Sequence, residues 1–260
     1  MGKPKIRFKG YEDDWEQRKV SEIGNIVTGS TPKTSISDNY GGEFLFVSPA
    51  DIQENRYVDE TITTLTKKGF DQGRKIREKA SLFVSIGSTI GKVAQTSQES
   101  TTNQQINAVE PYDNFDDDFI FTSLENISGS IKAIASNQAV PIVNKTTFGE
   151  TEIKVPSELA EQQKIGAYFR NLDHLITLHQ YKLFCAKNVM KYITTDINTP
   201  KKEAIMAELE SVIEQKLIEQ LIYGDSQWTY REDLKTEADL WKNFRYILEQ
   251  NNNCLLYTSP

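Results

Sequence analysis

The stretch Ile153-Lys154-Val155-Pro156-Ser157-Glu158-Leu159-Ala160-Glu161-Gln162-Gln163-Lys164-Ile165 is where the chain changes its period. Up to Val155, apolar and polar residues alternate, which is the texture of a strand. Beyond Pro156, apolar residues recur at steps of three and four, which is the texture of a helix. Ser157 is expected to cap that helix, and Glu161 to stand in its first turn, where an acid is favoured. The apolar stripe runs on through Ile165, Tyr168 and Phe169, Leu172, Leu175 and Ile176, Leu178 and Leu183. Gly166 is the single glycine of this stretch, and no proline follows until Pro200. Such a helix of about 30 residues is roughly 45 Å long. Two readings of the stripe stand: a helix packed on its own domain, or a coiled-coil arm that pairs with another helix. The second is preferred. The stripe outruns what a domain of this size needs to cover, and Asp173, His174 and Lys182 flank it with polar groups.

Upstream, from Tyr11 to Pro156, short apolar runs alternate with turn residues. Phe44–Val47, Ser81–Ile86, Ile106–Val109 and Ile153–Val155 read as strands. Gly29, Gly41-Gly42, Gly69, Gly73, Gly87, Gly91 and Pro111 punctuate them. A short helix is expected over Phe115–Ile127, opened by Asp116-Asp117-Asp118, whose charge suits a helix N-terminus. Residues 1–10 read as a polar tail, 11–156 as one compact mixed α/β domain, and 157–195 as the arm. Pro200 then breaks the pattern. Residues 202–222 carry a new amphipathic stripe (Ile205, Leu209, Val212, Ile213, Leu217, Leu221), ended by Tyr223-Gly224-Asp225, and Lys235–Glu249 reads as a last helical segment. The uncharged end within 251–260, Cys254-Leu255-Leu256-Tyr257-Thr258-Ser259-Pro260, has no periodicity. It is expected to be irregular and foreign to the native coding sequence. The fold class is thus α+β: a mixed domain, a long coiled-coil-type helix and a small helical tail.

With 260 residues, 38% hydrophobic and 26% charged, the chain can bury one core of ordinary size and carry extra helices. No run of 18 apolar residues is present to span a membrane. The opening Met-Gly-Lys-Pro-Lys-Ile-Arg has charge but no apolar run behind it, so it does not read as a signal peptide. Two isolated cysteines, Cys185 and Cys254, support neither a disulfide framework nor a cysteine-based zinc site, and a reducing cytoplasm is the expected location. The net charge of −7 argues against a general, histone-like nucleic-acid binder. It leaves open specific binding through a local basic face.

The motifs that invite an enzymatic reading fail on spacing. Gly87-Ser88-Thr89-Ile90-Gly91-Lys92 has three residues between its glycines where a nucleotide loop needs four, and Val93 stands where a Ser or Thr would hold magnesium. A tight turn between two strands is the better reading. His174 and His179 are five apart, off the spacing that puts metal ligands on one helical face. The mixed domain has no histidine, so no Ser-His-Asp arrangement can be built within it. Glu150-Thr151-Glu152-Ile153-Lys154 has the residue types of a metal-dependent nuclease, but it stands in a strand that leads to the arm.

The basic residues are uneven. Between Lys67 and Lys79 lie six cations (Lys67, Lys68, Arg74, Lys75, Arg77, Lys79) against two acids, Asp71 and Glu78. One reading is a solvated loop. The other is a phosphate-contacting surface with an Arg or Lys able to address guanine, and the acidity of the rest of the chain favours it. Thr101-Thr102 and Asn103-Gln104-Gln105 add side chains that pair with adenine edges or phosphates.

Read in order, these pieces resemble the specificity subunit of Type I restriction–modification systems. Trp15-Glu-Gln-Arg-Lys19-Val20-Ser-Glu-Ile23 is similar to the family's domain opening. Thr28-Gly29-Ser30-Thr31-Pro32, Phe46-Val47-Ser48-Pro49-Ala50-Asp51-Ile52, Gly87–Lys92 and Thr102-Asn103-Gln104-Gln105-Ile106-Asn107 follow. Val140-Pro141-Ile142-Val143-Asn144-Lys145 and Ile153–Pro156 close the domain. Glu161–Ile165 and Leu172-Asp173-His174-Leu175-Ile176 open the arm. The order and spacing of the pieces over residues 11–180 make the resemblance specific.

The resemblance implies a target-recognition domain that reads half of a split site in double-stranded DNA. It also implies a helical spacer that docks methyltransferase subunits. Methylation and cleavage would belong to those and to restriction subunits, so no catalytic residue, metal ligand or cofactor is expected here. Lys67, Lys68, Arg74, Lys75, Arg77, Lys92, Asn103 and Gln104 are the expected DNA contacts. Ile165, Phe169, Leu172, Leu175 and Ile176 are the expected subunit interface. The chain departs from the family pattern in having one recognition domain and one arm. It reads either as a half subunit that pairs with itself, giving a symmetric split site, or as one half of a broken gene. Residues 206–250, from Met206-Ala-Glu-Leu-Glu210 to Leu240-Trp241-Lys242-Asn243-Phe244, resemble the N-terminus of the restriction subunit, which favours the latter. Two other functions stand beside DNA reading: a scaffold that docks methyltransferase subunits without reading DNA, and a stand-alone nuclease.

Overall fold

The computed structural model describes residues 6–53, 55–135, 142–193 and 254–256. In chain order the elements are strands β1 (Ile6–Phe8) and β2 (Glu16–Lys19), helix α1 (Val20–Ile23), strand β3 (Gly24–Thr28), a 3-10 turn at Ser37–Asn39, and strands β4 (Tyr40–Val47), β5 (Tyr57–Val58) and β6 (Thr64–Leu65). Helix α2 (Lys67–Phe70) follows, then β7 (Lys75–Ile76), β8 (Ser81–Val84), β9 (Val93–Thr96), β10 (Ser100–Thr102) and β11 (Ile106–Pro111). The remainder comprises α3 (Asp117–Ala135), α4 (Lys145–Gly149), β12 (Glu152–Val155), α5 (Leu159–Ile193) and β13 (Cys254–Leu256). The fold is mixed α/β.

The chain divides into two units. One, Asp14–Asn171, holds a five-stranded sheet ordered β3-β11-β8-β9-β5, a four-stranded sheet ordered β6-β4-β10-β7, and the pair β12-β2. The other contains the antiparallel pair β1-β13 and α5 from Leu172 onward. The tail at 196–250, with the stripe at 202–222, Met206 and the helical segment at 235–249, lies outside the described residues.

The four strands expected from the apolar runs all form, β8 ending at Val84, and in β8 the side chains divide between two cores. In β8, Phe83 faces one cluster with Val109, Phe119, Ile120, Leu124 and Phe148, while Leu82 and Val84 face another with Val47, Ile52, Ile76, Ile106 and Ala108. Successive strand residues point to opposite faces, so a strand buried on both sides reads as the unbroken apolar run Leu82-Phe83-Val84. Phe83 stacks on Phe148, centroids 4.8 Å apart. A third cluster, Phe46, Leu65 and Phe70, lies under α2, where Phe44 stacks on Phe70 at 4.5 Å.

The opening and closing motifs of the domain are strand partners: Glu152 pairs with Lys19 and Val155 with Glu16. The Gly87–Lys92 turn joins antiparallel β8 and β9, with φ +98° at Gly87 and +92° at Gly91. Those left-handed angles are what glycine permits. The helix expected over 115–127 is longer, Asp117–Ala135. Its N-terminal cap is Asp116, whose Oδ1 accepts the Phe119 amide at 2.8 Å. Ser157 does not cap α5. The helix begins at Leu159, and the Glu161 and Gln162 amides donate to the Glu158 carbonyl.

Candidate nucleic-acid interface

Strand register brings the quoted motifs to one edge. Thr28 ends β3 opposite Asn107 of β11; Val84 ends β8 opposite Ile106; Val47 ends β4 opposite Thr102 of β10. The turns beyond these residues, at 28–32, 48–52, 87–92 and 103–105, therefore share a rim, and they bond to one another. Ser30 N donates to Thr102 O at 2.8 Å and Asn103 N to Val47 O at 3.0 Å. The Thr31 hydroxyl bonds Gln104 Oε1 at 2.6 Å. Asn103 holds Gln105, accepting its amide at 3.0 Å, and Gln105 Nε2 reaches Ile86 O. Gly29 permits this closeness: a Cβ there would fall 2.1 Å from Asn103 O. Asp51 turns its own motif, accepting from the Ser48 amide and hydroxyl at 2.8 and 2.6 Å.

The basic segment meets this rim. β7 pairs with β10, Lys75 opposite Thr101, so Arg74 stands beside the 28–32 turn. Its Nη1 donates to Thr28 O at 2.8 Å, while its side chain stays exposed. Lys67 and Lys75 share the Asp71 carboxylate at 2.8 and 3.0 Å, and Lys68 stands 3.6 Å from Asp38. Lys75 also lies 5.0 Å over the Phe70 ring. All four cations are exposed. Hydrogen bonds from Lys67 and Lys75 hold the Asp71 carboxyl below its ordinary value, so it stays ionised.

Two of the expected DNA contacts, Arg77 and Lys92, also bond within the fold. Arg77 grips Asp117 with both terminal nitrogens, at 2.9 and 2.5 Å, and also bonds Glu78 O and Pro111 O. The Asp117 carboxylate is the first cause of its raised pKa. Lys92 Nζ donates to Ile52 O at 2.7 Å, tying two turns of the rim together. Their donors serve the fold. Asn103 is likewise occupied by Gln105, whereas Gln104 is exposed.

The three aspartates at the start of α3 do separate jobs. Asp116 caps and Asp117 holds Arg77. Asp118, buried, accepts from buried Arg56 at 2.8 Å and from Arg170 of α5 at 2.7 Å. The Arg56 guanidinium lies 4.2 Å over the Phe121 ring and bonds Gln95 Oε1. The first turns of α5 close on this junction. Buried Gln162 accepts the Asp116 amide at 3.0 Å and donates to Pro156 O at 3.0 Å. A Cβ on Gly166 would fall 2.3 Å from Asp116 Oδ1 and 2.7 Å from Phe119 N, so only glycine lets the helices approach this closely. Of the expected interface residues, Ile165 is partly buried against the domain's own core. Phe169 and Ile176 are exposed, and Leu172 and Leu175 are half-buried.

Sequence reasoning passed over Arg56 and Arg170. No pattern marks an isolated arginine as buried. Gln162, by contrast, lay within a quoted motif. Among the described residues no group of three or more His, Cys, Asp or Glu side chains could hold a metal ion, and no helix is long and apolar enough to cross a membrane.

Residues 12–184 match the family model described as the Type I restriction modification DNA specificity domain. The chain is 33% identical over 148 residues to the Type I restriction enzyme HindI specificity subunit of Haemophilus influenzae, which covers 55% of this chain and 32% of that protein. It is 29% identical over 168 residues to the MjaIX specificity subunit of Methanocaldococcus jannaschii, covering 63% and 39%. The chain thus spans about a third of the length of these curated relatives. Two solved structures share its fold. The HsdS subunit from Thermoanaerobacter tengcongensis has a TM-score of 0.52 at 17% identity, over 82% of this chain and 47% of that one. The S subunit of the Type I system from M. genitalium has a TM-score of 0.55 at 15% identity, over 74% and 47%. The family match takes in the whole rim, the acidic junction and the start of α5, and on that match the chain belongs to the Type I restriction–modification DNA specificity family.

Proposed function

We propose that this chain is a sequence-specific DNA-binding specificity subunit of a cytoplasmic Type I restriction–modification complex, without catalysis of its own. It directs methyltransferase and restriction subunits to a split target site. One observation carries the reading. Lys67, Lys68, Arg74 and Lys75 stand exposed beside a rim of mutually bonded turns, in a family whose model is a DNA specificity domain. Phosphate contacts by such cations position a domain on the duplex, and base contacts supply the specificity. Lys92 and Asn103 tie turns of the rim together, and Arg77 is bound to Asp117 at the acidic junction. Phe169, Leu172, Leu175 and Ile176 are the proposed docking residues of α5 for methyltransferase subunits or for a second copy of the chain. Self-pairing would give a two-fold symmetric target.

The test is duplex binding as a function of salt. Replacing Lys67, Lys68, Arg74 and Lys75 by alanine is expected to abolish binding at physiological salt and to flatten the salt dependence. Binding to every duplex that survives these changes would place the DNA face elsewhere. Cleavage by the purified chain with magnesium alone would replace this reading with a nuclease.

A further inference from the structure

The segment between Thr31 and Asn39 is held by hydrogen bonds on both sides. Pro32 is buried, and its carbonyl accepts the Tyr40 hydroxyl at 2.7 Å. The Lys33 carbonyl accepts twice: from the Ile36 amide at 3.2 Å, which closes a four-residue turn, and from the Nδ2 of fully buried Asn39 at 3.1 Å. Thr31 is tied to Gln104, and Ser30 Oγ accepts the Arg74 amide. The backbone is thus pinned on both sides of a tip made of Thr34 and Ser35, and Lys33, Thr34 and Ser35 are exposed.

Charge sets this turn apart from α2 beside it. Lys67 and Lys75 face Asp71 and Lys68 faces Asp38, so each has a counter-ion. Among the described residues Lys33 has none. An unpaired ammonium next to two short hydroxyl side chains, on a backbone held by these hydrogen bonds, suits a hydrogen-bonding surface that discriminates. A pre-formed loop loses little entropy on binding. Lysine addresses the O6 and N7 acceptors of guanine, and Ser and Thr hydroxyls pair with donors or acceptors on base edges.

We propose that the turn Lys33–Ile36 is the base-reading element of this domain. Lys33 addresses a guanine, the Thr34 and Ser35 hydroxyls address neighbouring edges, and Lys67, Lys68 and Arg74 hold the flanking phosphates. This rests on the DNA-binding reading above. The full chain is incubated with a random-sequence duplex pool, and the bound fraction is sequenced. The wild type enriches a motif containing guanine. Lys33→Ala reduces the preference for one guanine by about ten- to a hundredfold, and the charge-neutral pair Thr34→Val with Ser35→Ala relaxes an adjacent position. Lys68→Ala weakens binding to all sequences and leaves the motif unchanged. A motif that survives Lys33→Ala and the Thr34/Ser35 pair, in variants melting with the wild type, overturns the assignment of the turn while leaving DNA reading intact. A wild type that binds but enriches no motif overturns both.

Discussion

Two charged regions of the domain use the same residue types to opposite ends. At the acidic junction, Asp117 and Asp118 hold Arg77, Arg56 and Arg170, with Asp118 and Arg56 out of water. At the basic rim, Asp71 and Asp38 face Lys67, Lys75 and Lys68 in full solvent. Burial sets the Arg56–Asp118 pair apart, with side chains 3% and 6% exposed, whereas Arg77 and Arg170 are as exposed as Lys75 and are held by their geometry on the aspartates. An exposed pair contributes little to stability and is screened by salt, so its lysines can exchange an aspartate for a phosphate. A buried pair cannot give up one partner without leaving the other uncompensated. The junction is structural, and the rim is free to recruit.

The contrast can be broken at several points. The largest effect is expected from Asp118→Ala, which strands buried Arg56 and frees Arg170. Breaking a buried pair in this way costs about 3–5 kcal/mol, read as a fall in denaturation midpoint. A loss no larger than that for an exposed pair would remove the distinction between junction and rim. Gly166→Ala comes next, because the new Cβ meets backbone at Phe119 N as well as Asp116 Oδ1. Overpacking of this kind costs about 1–3 kcal/mol, and amide exchange should rise at the start of α3 and α5.

Asp71→Asn is the matching change at the rim. It leaves the melting temperature near that of the wild type, and it releases Lys67 and Lys75 from their shared counter-ion. Duplex affinity should rise severalfold with a steeper salt dependence, measured by titration at two salt concentrations. Unchanged affinity would take these lysines off the DNA face.

The smallest effect is expected at Asp116. Burial, its first cause, raises this carboxyl above its ordinary value, against the Phe119 amide that lowers it. The folded state therefore holds the proton more tightly than the unfolded chain, and stability falls as pH rises through the carboxylate range. Asn keeps the cap and removes the charge. Asp116→Asn should match the wild type below about pH 4 and be slightly more stable at pH 7. Equal melting at both pH values would show that this burial has no energetic consequence.

Much of the fold was legible because it depends on local pattern. Leu82-Phe83-Val84 read as a strand and Gly87 and Gly91 as a turn, and both form. The motifs in order pointed to a family, and the family match bears that out. Less of the candidate site could be read. Lys67 and Arg77 belong to one basic run, yet Lys67 stands in solvent and Arg77 locks onto Asp117, 40 residues away. Lys33 had no basic neighbour in sequence to mark it. Ile165 belonged to the same stripe as Ile176, but the first turns of α5 are spent on the domain itself.

By itself the sequence determined the alternation of strands and turns, the change of period at Pro156 and the order of motifs that places the chain in its family. Those follow from neighbours within a few residues, where side-chain spacing and backbone preference act directly. Only the tertiary structure decided which cations are held within the fold and which face solvent, that the opening motif pairs with the closing one, and that Gly166 is a point of helix contact. These depend on partners far away in sequence, and burial of a charge is a property of everything packed around it.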